Sequence, residues 1–222
     1  MTTLAILPVK SFGAAKQRLS ESLGAGSRQA IAQAMFSDVL SSLRRSPAID
    51  AIAVVTCDRA AEAAASGDRV RVLRDTADAG HSEAARIGIE YALAEGYERV
   101  LLIPGDTPLV QPAEIGALLA ARSVTIVPDR HGTGTNALLL SPPDAIDPSF
   151  GPGSRDRHVA AAERAGVPHR VQEVPGLALD VDTPGDLAAL SSELELHRGH
   201  APATRGALRQ LDRAGASPVR VA

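Results

Sequence analysis

The sequence predicts an α/β protein whose mostly parallel β-sheet is covered by helices on both faces. Short apolar runs alternate with longer amphipathic or Ala-rich segments along most of the chain, and this alternation is typical of repeated strand–helix–strand units. Most of the apolar runs lack a polar face, which indicates strands that are buried on both sides of the sheet. The 222 residues are 45% hydrophobic but only 2% aromatic, a composition that favours packing of helices on a sheet.

The individual elements follow from these patterns. The apolar runs predict strands at Leu4–Leu7, Ala51–Thr56, Val70–Leu73, Val100–Ile103, Val124–Val127 and Ala137–Leu140. Apolar spacing or Ala-rich composition predicts helices over Ile31–Leu43, Ala84–Leu93, Ala113–Ala121, a segment containing His158, and Gly185–Leu194. A Gly/Pro-rich loop separates the later strands near Ala137 and Arg170. This interruption of the alternation indicates an antiparallel edge of the sheet.

The predicted organisation is one domain over residues 1–195, followed by an Arg/Ala-rich tail over residues 196–222. Apolar periodicity in the tail is confined to Leu208 and Leu211, so we expect a mobile segment or a weak terminal helix. The arginines of the tail are most simply a solvated surface.

Charge and composition argue against several classes of protein. A net charge of -3 gives no overall attraction to nucleic acid or to acidic membranes, and the absence of Trp argues against base-stacking surfaces. No segment approaches the roughly 18 apolar residues of a membrane span, and no basic leader is present. Cys57 is the only cysteine, which rules out an intrachain disulfide and a Cys-based zinc site. We therefore expect a cytoplasmic protein that binds neither nucleic acid nor membrane.

Acidic side chains occur where a sheet of this kind binds ligands. Asp106 lies in the turn Pro104–Pro108, directly after the strand Val100–Ile103, and the carboxyl ends of strands form the binding crevice in open α/β sheets. Asp180 and Asp182 project to the same side of an extended segment, so they are candidates to share a divalent cation with Asp106. A helix cap by Asp182 or Thr183 is an equal alternative for Asp182.

Basic and glycine-rich loops suggest binding of a phosphorylated ligand. Lys10, Lys16 and Arg18 follow the first strand and are suited to neutralising a polyphosphate. The turns Gly132–Asn136 and Phe150–Arg155 flank an apolar strand and a helix start, and they offer backbone N–H groups and hydroxyls to anions. Taken singly, the basic loop is better explained as a solvated cation cluster and the turn Gly132–Asn136 as a plain turn, but two such turns flanking one strand are harder to explain in this way.

These segments in this order resemble the CofC/FbiD family of guanylyltransferases, which act in the biosynthesis of coenzyme F-420. The matching segments are Pro8–Lys10 with Ala15–Leu19, Pro104–Pro108, Gly132–Leu138, Phe150–Ser154 and Leu179–Pro184, and the resemblance extends to about Glu195. It implies a single Rossmann-like nucleotidyltransferase domain. It also implies transfer of GMP from GTP to the phosphate of phosphoenolpyruvate, which gives enolpyruvoyl-2-diphospho-5'-guanosine and pyrophosphate.

The resemblance further implies the residues of the site. The implied catalytic residues are Lys10, Lys16, Arg18 and Asp106, and the implied acceptor-binding residues are Thr135, Gly151 and Ser154. The nucleotide would be bound by Pro8, Val9, Lys10, Gly80, Ser82, Pro104 and Gly105. Mg²⁺ would be bound by Asp106, Asp180 and Asp182. A phosphate oxygen of the acceptor is already a nucleophile, so no general base is needed and catalysis can rest on positioning and charge neutralisation.

Alternatives remain open at this point. The acceptor is alternatively 2-phospho-L-lactate or 3-phosphoglycerate, and phosphoenolpyruvate is preferred because the Ala/Arg/Gly-rich composition is typical of a high-GC bacterium. A molybdopterin cytidylyltransferase and a non-catalytic nucleotide-binding protein are the other candidates. The segment Asp78–Arg86 departs from the Gly-Leu-Asn pattern of many family members, so His81 or Ser82 either contacts the nucleotide or caps the following helix. A homodimer is compatible with the sequence, although no residue calls for one.

Overall fold

The computed structural model describes residues 1–76 and 80–213. Its strands are β1 (Thr3–Val9), β2 (Ala51–Thr56), β3 (Val70–Arg74), β4 (Arg99–Leu102), β5 (Val124–Pro128), β6 (Thr135–Leu140) and β7 (His169–Val171). They form one 7-stranded sheet in the order β3-β2-β1-β4-β6-β5-β7. All neighbouring pairs are parallel except the two that involve β6. The prediction of a mostly parallel sheet is confirmed.

Helices cover both faces of this sheet, as predicted. They are α1 (Ala25–Arg45), α2 (Arg59–Ala64), α3 (His81–Ala94), α4 (Pro112–Leu119), α5 (Ser154–Ala165), α6 (Pro175–Ala178), α7 (Pro184–Leu196) and α8 (Pro202–Arg213). Alternate residues of β1 enter different cores, because successive side chains of a strand point to opposite faces. Leu7 packs with Phe36 of α1 on one face, and Ile6 packs with Ile89 of α3 on the other.

The antiparallel strand lies inside the sheet and not at its edge, which corrects the sequence-based prediction. β6 pairs with β4 and β5, and the edge strand β7 is parallel to β5. A short turn joins β5 to β6, and only antiparallel strands can be joined so directly. All residues of β6 are buried, so its sequence has the same continuous apolar pattern as a buried parallel strand.

The segment expected to be a tail contains α8, which packs against α1. The buried Asp38 of α1 accepts hydrogen bonds from the backbone N–H groups of Ala203 and Thr204 at 3.0 and 2.7 Å, and from the Thr204 hydroxyl at 2.7 Å. Leu208 joins the apolar cluster between α1 and α7. A carboxylate at the start of a helix caps its free N–H groups, so α8 is held by a contact that its own sequence does not reveal. Residues 214–222 of the expected tail lie outside the described residues.

The topology brings several loops to one edge of the sheet. The carboxyl ends of β1, β4 and β5 lie at this edge because these strands run in the same direction. β6 runs the opposite way, so its first residue, Thr135, reaches the same edge.

Between residues 1 and 76 and between 80 and 213, no helix is both long and apolar enough to cross a membrane.

Candidate active site

Two adjoining cavities open at this edge of the sheet. The larger, which we call the central cleft, has a volume of about 730 Å³, and the smaller, which we call the side cavity, has a volume of about 290 Å³. Pro8, His81, Asp106 and Asp182 line both, so the two cavities adjoin at these residues. Every site residue predicted from the sequence lines at least one of them. The side cavity holds Val9, Lys10, Lys16 and Gly105, and the central cleft holds Arg18, Gly80, Ser82, Pro104, Thr135, Gly151, Ser154 and Asp180.

Lys16 lies between two of the predicted carboxylates. Its Nζ is 2.5 Å from Asp106 Oδ2 and 2.9 Å from Asp182 Oδ1, and its side chain is only 8% exposed. The Lys16 backbone has a left-handed conformation with φ of 57°, which is rare for a residue with a side chain and is found most often at functional sites. Burial alone would lower the pKa of the Lys16 ammonium, but the two carboxylates outweigh burial and raise this pKa. Lys16 is therefore a fixed cation at the junction of the cavities.

Asp106 is the carboxylate best suited to hold a metal ion. One of its oxygens accepts from Lys16, whereas the other, Oδ1, is buried and has no hydrogen-bond partner among the described residues. Burial opposes ionisation of Asp106, but the adjacent Lys16 holds the pKa of this carboxyl below its ordinary value. An ionised carboxylate with an unused buried oxygen suits a divalent cation, which typically takes one or two protein carboxylates together with substrate phosphates.

The pKa of Asp180, another carboxyl group of the central cleft, is shifted in the opposite direction to that of Asp106. Burial raises the pKa of the Asp180 carboxyl, and the negative charge of Asp106 raises it further. Asn136 donates to Asp180 Oδ1 at 3.2 Å and also to the Leu177 carbonyl at 2.7 Å, which fixes the carboxyl relative to the chain. A bound cation would relieve the repulsion between the carboxylates of Asp106 and Asp180. In the part of the chain that the structure describes, however, no three His, Cys, Asp or Glu side chains are arranged as a metal site.

The turn that carries Asp182 is held by an aspartate that the sequence analysis did not identify. Thr183 is the N-cap of α7 and forms a reciprocal capping box with Asp186. Asp186 Oδ2 also accepts the backbone N–H of Asp182 at 3.0 Å, and Oδ1 is paired with Arg130. Because Thr183 caps the helix, the Asp182 carboxylate is available to Lys16. The Thr-x-x-Asp spacing is the sequence signal that predicts this capping box.

The far end of the central cleft has features that favour an anion. Ser154 is the first residue of α5 and is 1% exposed, yet its Oγ finds no hydrogen-bond partner among the residues described. Gly151 and Gly153 have φ angles of 105° and 69°, a left-handed region that Gly adopts without strain. Their turn brings the start of α5 to the cleft, where the helix dipole favours negative charge. Arg157 stabilises the turn by donating to the Ser149 carbonyl at 2.9 Å.

Thr135 faces the same end of the cleft and is contacted by His158, which the sequence analysis did not identify. His158 is 0% exposed, and its Nδ1 is 3.0 Å from Thr135 Oγ1. The buried residues of α5 are Ser154, His158 and Ala162. Residues four apart lie on the same face of a helix, so these three residues form one buried face. The position of His158 on this face was the signal in the sequence that could have identified it.

The start of α3 forms the third wall of the cleft. Gly80 is the N-cap and His81 already belongs to the helix, so the alternative of a cap by His81 or Ser82 is wrong. Ser82 Oγ accepts the backbone N–H of Phe150 at 3.0 Å and thereby joins α3 to the turn before α5. Residues 77–79, including Asp78 and Ala79 of the segment that departs from the family pattern, lie outside the described residues.

The remaining predicted cations, Lys10 and Arg18, are exposed. Neither forms an ion pair with another residue of the described ranges. Lys10 lines the side cavity, as Lys16 does, and Arg18 lines the central cleft. Unlike Lys16, both are available to an incoming polyphosphate.

Sequence comparison assigns the chain to a family. The family model described as "Guanylyl transferase CofC like" matches residues 3–215. The chain belongs to the CofC-like guanylyl transferase family. The resemblance inferred from the sequence motifs is thus confirmed. A relative of this CofC-like chain, the phosphoenolpyruvate guanylyltransferase of Conexibacter woesei, is 50% identical over 216 residues, which cover 95% of this chain and 97% of the relative. The protein of the same name from Sphaerobacter thermophilus is 39% identical over 206 residues, covering 91% and 95%.

Solved structures support the fold of this CofC-like chain. A structure named as a nucleotide-diphospho-sugar transferase from Desulfovibrio desulfuricans G20 superposes with a TM-score of 0.76 at 20% identity, covering 96% of each chain. A nucleotidyl transferase from Methanothermobacter thermautotroptrophicus superposes with a TM-score of 0.66 at 19% identity, covering 88% of this chain and 99% of its own. At such low identity the likeness concerns the fold alone. It confirms the Rossmann-like nucleotidyltransferase architecture.

Proposed function

We propose that the protein is a guanylyltransferase that transfers GMP from GTP to the phosphate of phosphoenolpyruvate, a step of coenzyme F-420 biosynthesis. The observation that carries the proposal is that the two cavities meet at a cation–carboxylate cluster, while the far end of the central cleft holds a buried Ser154 hydroxyl with no hydrogen-bond partner among the described residues. The extensive identity to relatives named phosphoenolpyruvate guanylyltransferase supports the choice of both substrates.

The triphosphate is assigned to the junction between the cavities. Lys10, Lys16 and Arg18 place positive charge there from both cavities. An oxygen of the acceptor phosphate attacks the α-phosphorus of GTP, a new P–O bond forms, and the bond to the bridging oxygen of the β-phosphate breaks. Pyrophosphate leaves with that electron pair, and the cations stabilise its developing charge. The acceptor oxygen is already anionic, so no side chain has to remove a proton.

A magnesium ion fits the residues at the junction. Asp106 would hold it through the buried Oδ1 that has no partner in the described part of the chain, with Asp180 or Asp182 as the second carboxylate. The ion supplies charge neutralisation between the carboxylates and the phosphates of GTP. Lys16 keeps Asp106 ionised at neutral pH and so keeps the site ready to bind a cation.

The acceptor acid is assigned to the far end of the central cleft. Thr135 and Ser154 offer hydroxyl groups there, and the backbone at Gly151 adds an N–H group. This set of donors matches an acid that carries two anionic groups, a carboxylate and a phosphate. The guanine and ribose are assigned to the walls formed by Pro8, Gly80 and Pro104.

The experiment that tests the function is Mg²⁺-dependent release of pyrophosphate, measured for each of the four nucleoside triphosphates with each acid. The acids are phosphoenolpyruvate, 2-phospho-L-lactate, 3-phosphoglycerate and none. We expect release only with GTP and phosphoenolpyruvate. Release with CTP in place of GTP would favour a cytidylyltransferase, and GTP binding without turnover would favour a non-catalytic nucleotide-binding protein.

The carboxylate assignment is tested with Asp106→Asn in the same assay. We expect turnover to fall by at least about a hundredfold, because the carboxylate that would hold Mg²⁺ at the transferring phosphate is lost. Asp68→Asn is the matched control, since Asp68 is exposed and lies outside the lining of both cavities. Circular dichroism should show that both variants are folded. Unchanged turnover of Asp106→Asn would contradict the assignment of Asp106.

A further inference from the structure

His158 is a fully buried histidine with a partner at each ring nitrogen. Its Nε2 lies 2.9 Å from the backbone nitrogen of Ser149, and its Nδ1 lies 3.0 Å from Thr135 Oγ1. The ring also packs edge-on against Phe150, with centroids 5.3 Å apart and an interplanar angle of 72°. The imidazole is therefore fixed in position from three sides within the wall of the central cleft.

The contact with Ser149 determines the tautomer of His158. A backbone N–H can only donate, so Nε2 must be the unprotonated acceptor nitrogen. In the neutral ring the proton then lies on Nδ1, which donates to Thr135 Oγ1. Burial, with a contribution from the positive charge of Arg157, lowers the pKa of His158 to about 4. The ring thus stays neutral, with the same nitrogen protonated, throughout the neutral pH range.

The fixed tautomer has a consequence for Thr135. Because the Thr135 oxygen accepts from His158, its own hydrogen is directed away from the imidazole, and the side chain lines the central cleft. We propose that His158 is a positioning residue, which holds the Thr135 hydroxyl as a hydrogen-bond donor to the anionic acceptor acid and thereby favours an acid over a neutral ligand. This inference rests on the proposed function, which places the acid beside Thr135.

The same network extends beyond the acceptor end of the cleft. Phe150, which contacts the His158 ring, donates its backbone N–H to Ser82 Oγ at 3.0 Å. Ser82 belongs to the first turn of α3, which forms the nucleotide-side wall. His158 thus supports a turn that is tied to both halves of the site, so its two ring nitrogens have separable roles. Nδ1 orients Thr135, and Nε2 holds the backbone of the turn before α5.

Two amide variants separate these roles. Asn places an amide nitrogen near the position of Nδ1, so His158→Asn keeps a donor to Thr135 and loses the acceptor for Ser149. Gln reaches the position of Nε2, so His158→Gln keeps that acceptor and loses the donor to Thr135. We expect His158→Gln to raise the KM for phosphoenolpyruvate about tenfold, the effect of one lost hydrogen bond to a charged group. The KM for GTP and kcat should change less than about twofold.

His158→Asn, which keeps the donor to Thr135, should retain most of the affinity for phosphoenolpyruvate. His158→Asn should raise the KM for phosphoenolpyruvate by less than about threefold, although its thermal unfolding midpoint should fall because the buried Ser149 N–H loses its partner. Thr135→Val should raise the same KM, and adding His158→Gln to it should have no further effect, since both changes remove one interaction. Equal KM values for His158→Gln and wild type, or additive effects in the double variant, would overturn the proposal.

A second measurement tests the proposal without relying on turnover. A long-range ¹H–¹⁵N correlation spectrum of the wild-type protein identifies which imidazole nitrogen carries the proton. A neutral His158 with the proton on Nδ1 at pH 7 is the expected result, and a proton on Nε2 would overturn the proposal. If wild-type protein releases no pyrophosphate with any acid, the proposed function fails, whereas the tautomer still decides whether His158 orients Thr135 as a donor.

Discussion

Replacing Lys16 with methionine removes the ammonium group that lies between Asp106 and Asp182. The methionine side chain has a similar length and fills the space of the aliphatic stem, so the variant tests the charge more than the packing. Both carboxylates lose their cation, at 2.5 and 2.9 Å in the wild type. Asp106 is the more affected of the two, because its side chain is 22% exposed whereas that of Asp182 is 45% exposed.

The expected loss of stability follows from this burial. Removing one partner of a fully buried ion pair costs about 3–5 kcal/mol, because an uncompensated charge is left inside the protein. Water screens the Asp182 end of this cluster, so only the Asp106 end should approach that cost. We expect the free energy of unfolding at pH 7 to fall by about 2–3 kcal/mol, a large fraction of the roughly 5–15 kcal/mol of a typical domain.

The stabilisation that Lys16 gives through Asp106 depends on pH. Lys16 holds the pKa of Asp106 below its ordinary value of 3.8, so the stabilisation is present above pH 3.8 and is lost as the pH falls through the lower value of the folded protein. In the methionine variant only burial and negative neighbours remain, so the same carboxyl takes up a proton more readily. The difference in unfolding free energy between wild type and variant should therefore shrink between pH 7 and pH 3.

The assay is urea denaturation followed by circular dichroism at both pH values, with Lys10→Met as the matched control. Lys10 is exposed and is in no ion pair with the described residues, so its variant should keep its stability within about 0.5 kcal/mol. Both variants should lose turnover, since both cations are assigned to the triphosphate. A Lys16→Met protein as stable as Lys10→Met, or a loss of the same size at pH 3 and pH 7, would refute the electrostatic argument.

Two further predictions concern α8 and the acceptor end. Asp38→Ala removes the acceptor of three hydrogen bonds from the start of α8, so unfolding free energy should fall by about 1–3 kcal/mol and amide exchange should rise in α8; unchanged exchange there would show that α8 docks by other contacts. Ser154→Ala should change stability by less than about 0.5 kcal/mol, because this buried hydroxyl has no partner in the described ranges, yet it should raise the KM for phosphoenolpyruvate about tenfold. A lower stability with unchanged KM would instead indicate a structural role for Ser154.

The fold was largely predictable because each strand carries its own apolar signal. The strands and helices appear close to their predicted positions, and the two-sided covering of the sheet follows from the lack of polar faces. The direction of β6 was not predictable, because a strand buried on both faces has the same composition whichever way it runs. The docking of α8 was missed for a related reason. Its main polar anchor, Asp38, lies more than 160 residues earlier in the chain.

The candidate site was predictable at the level of loops but not of partners. The turn at Asp106 and the turn before α5 were found because binding loops follow strand ends and precede helices. The position of Lys16 between Asp106 and Asp182 was not foreseen, because spacing along the chain cannot show which charges meet in space. His158 was missed because a lone histidine in a polar helix gives little information until its buried stripe is known.

The reversal of β6 explains how the proposed acceptor and nucleotide ends of the site come to lie at the same edge of the sheet. In an all-parallel sheet, the residue at the start of a strand lies at the edge opposite the binding crevice. Because β6 runs against β4 and β5, its first residue, Thr135, instead lies at the crevice, next to the turn that ends β4. Asn136, the next residue of β6, donates a hydrogen bond to Asp180. One antiparallel strand thus supplies a hydroxyl to the acceptor end and an amide to the acidic cluster, and the distance between the two functions is fixed by consecutive residues of a buried strand.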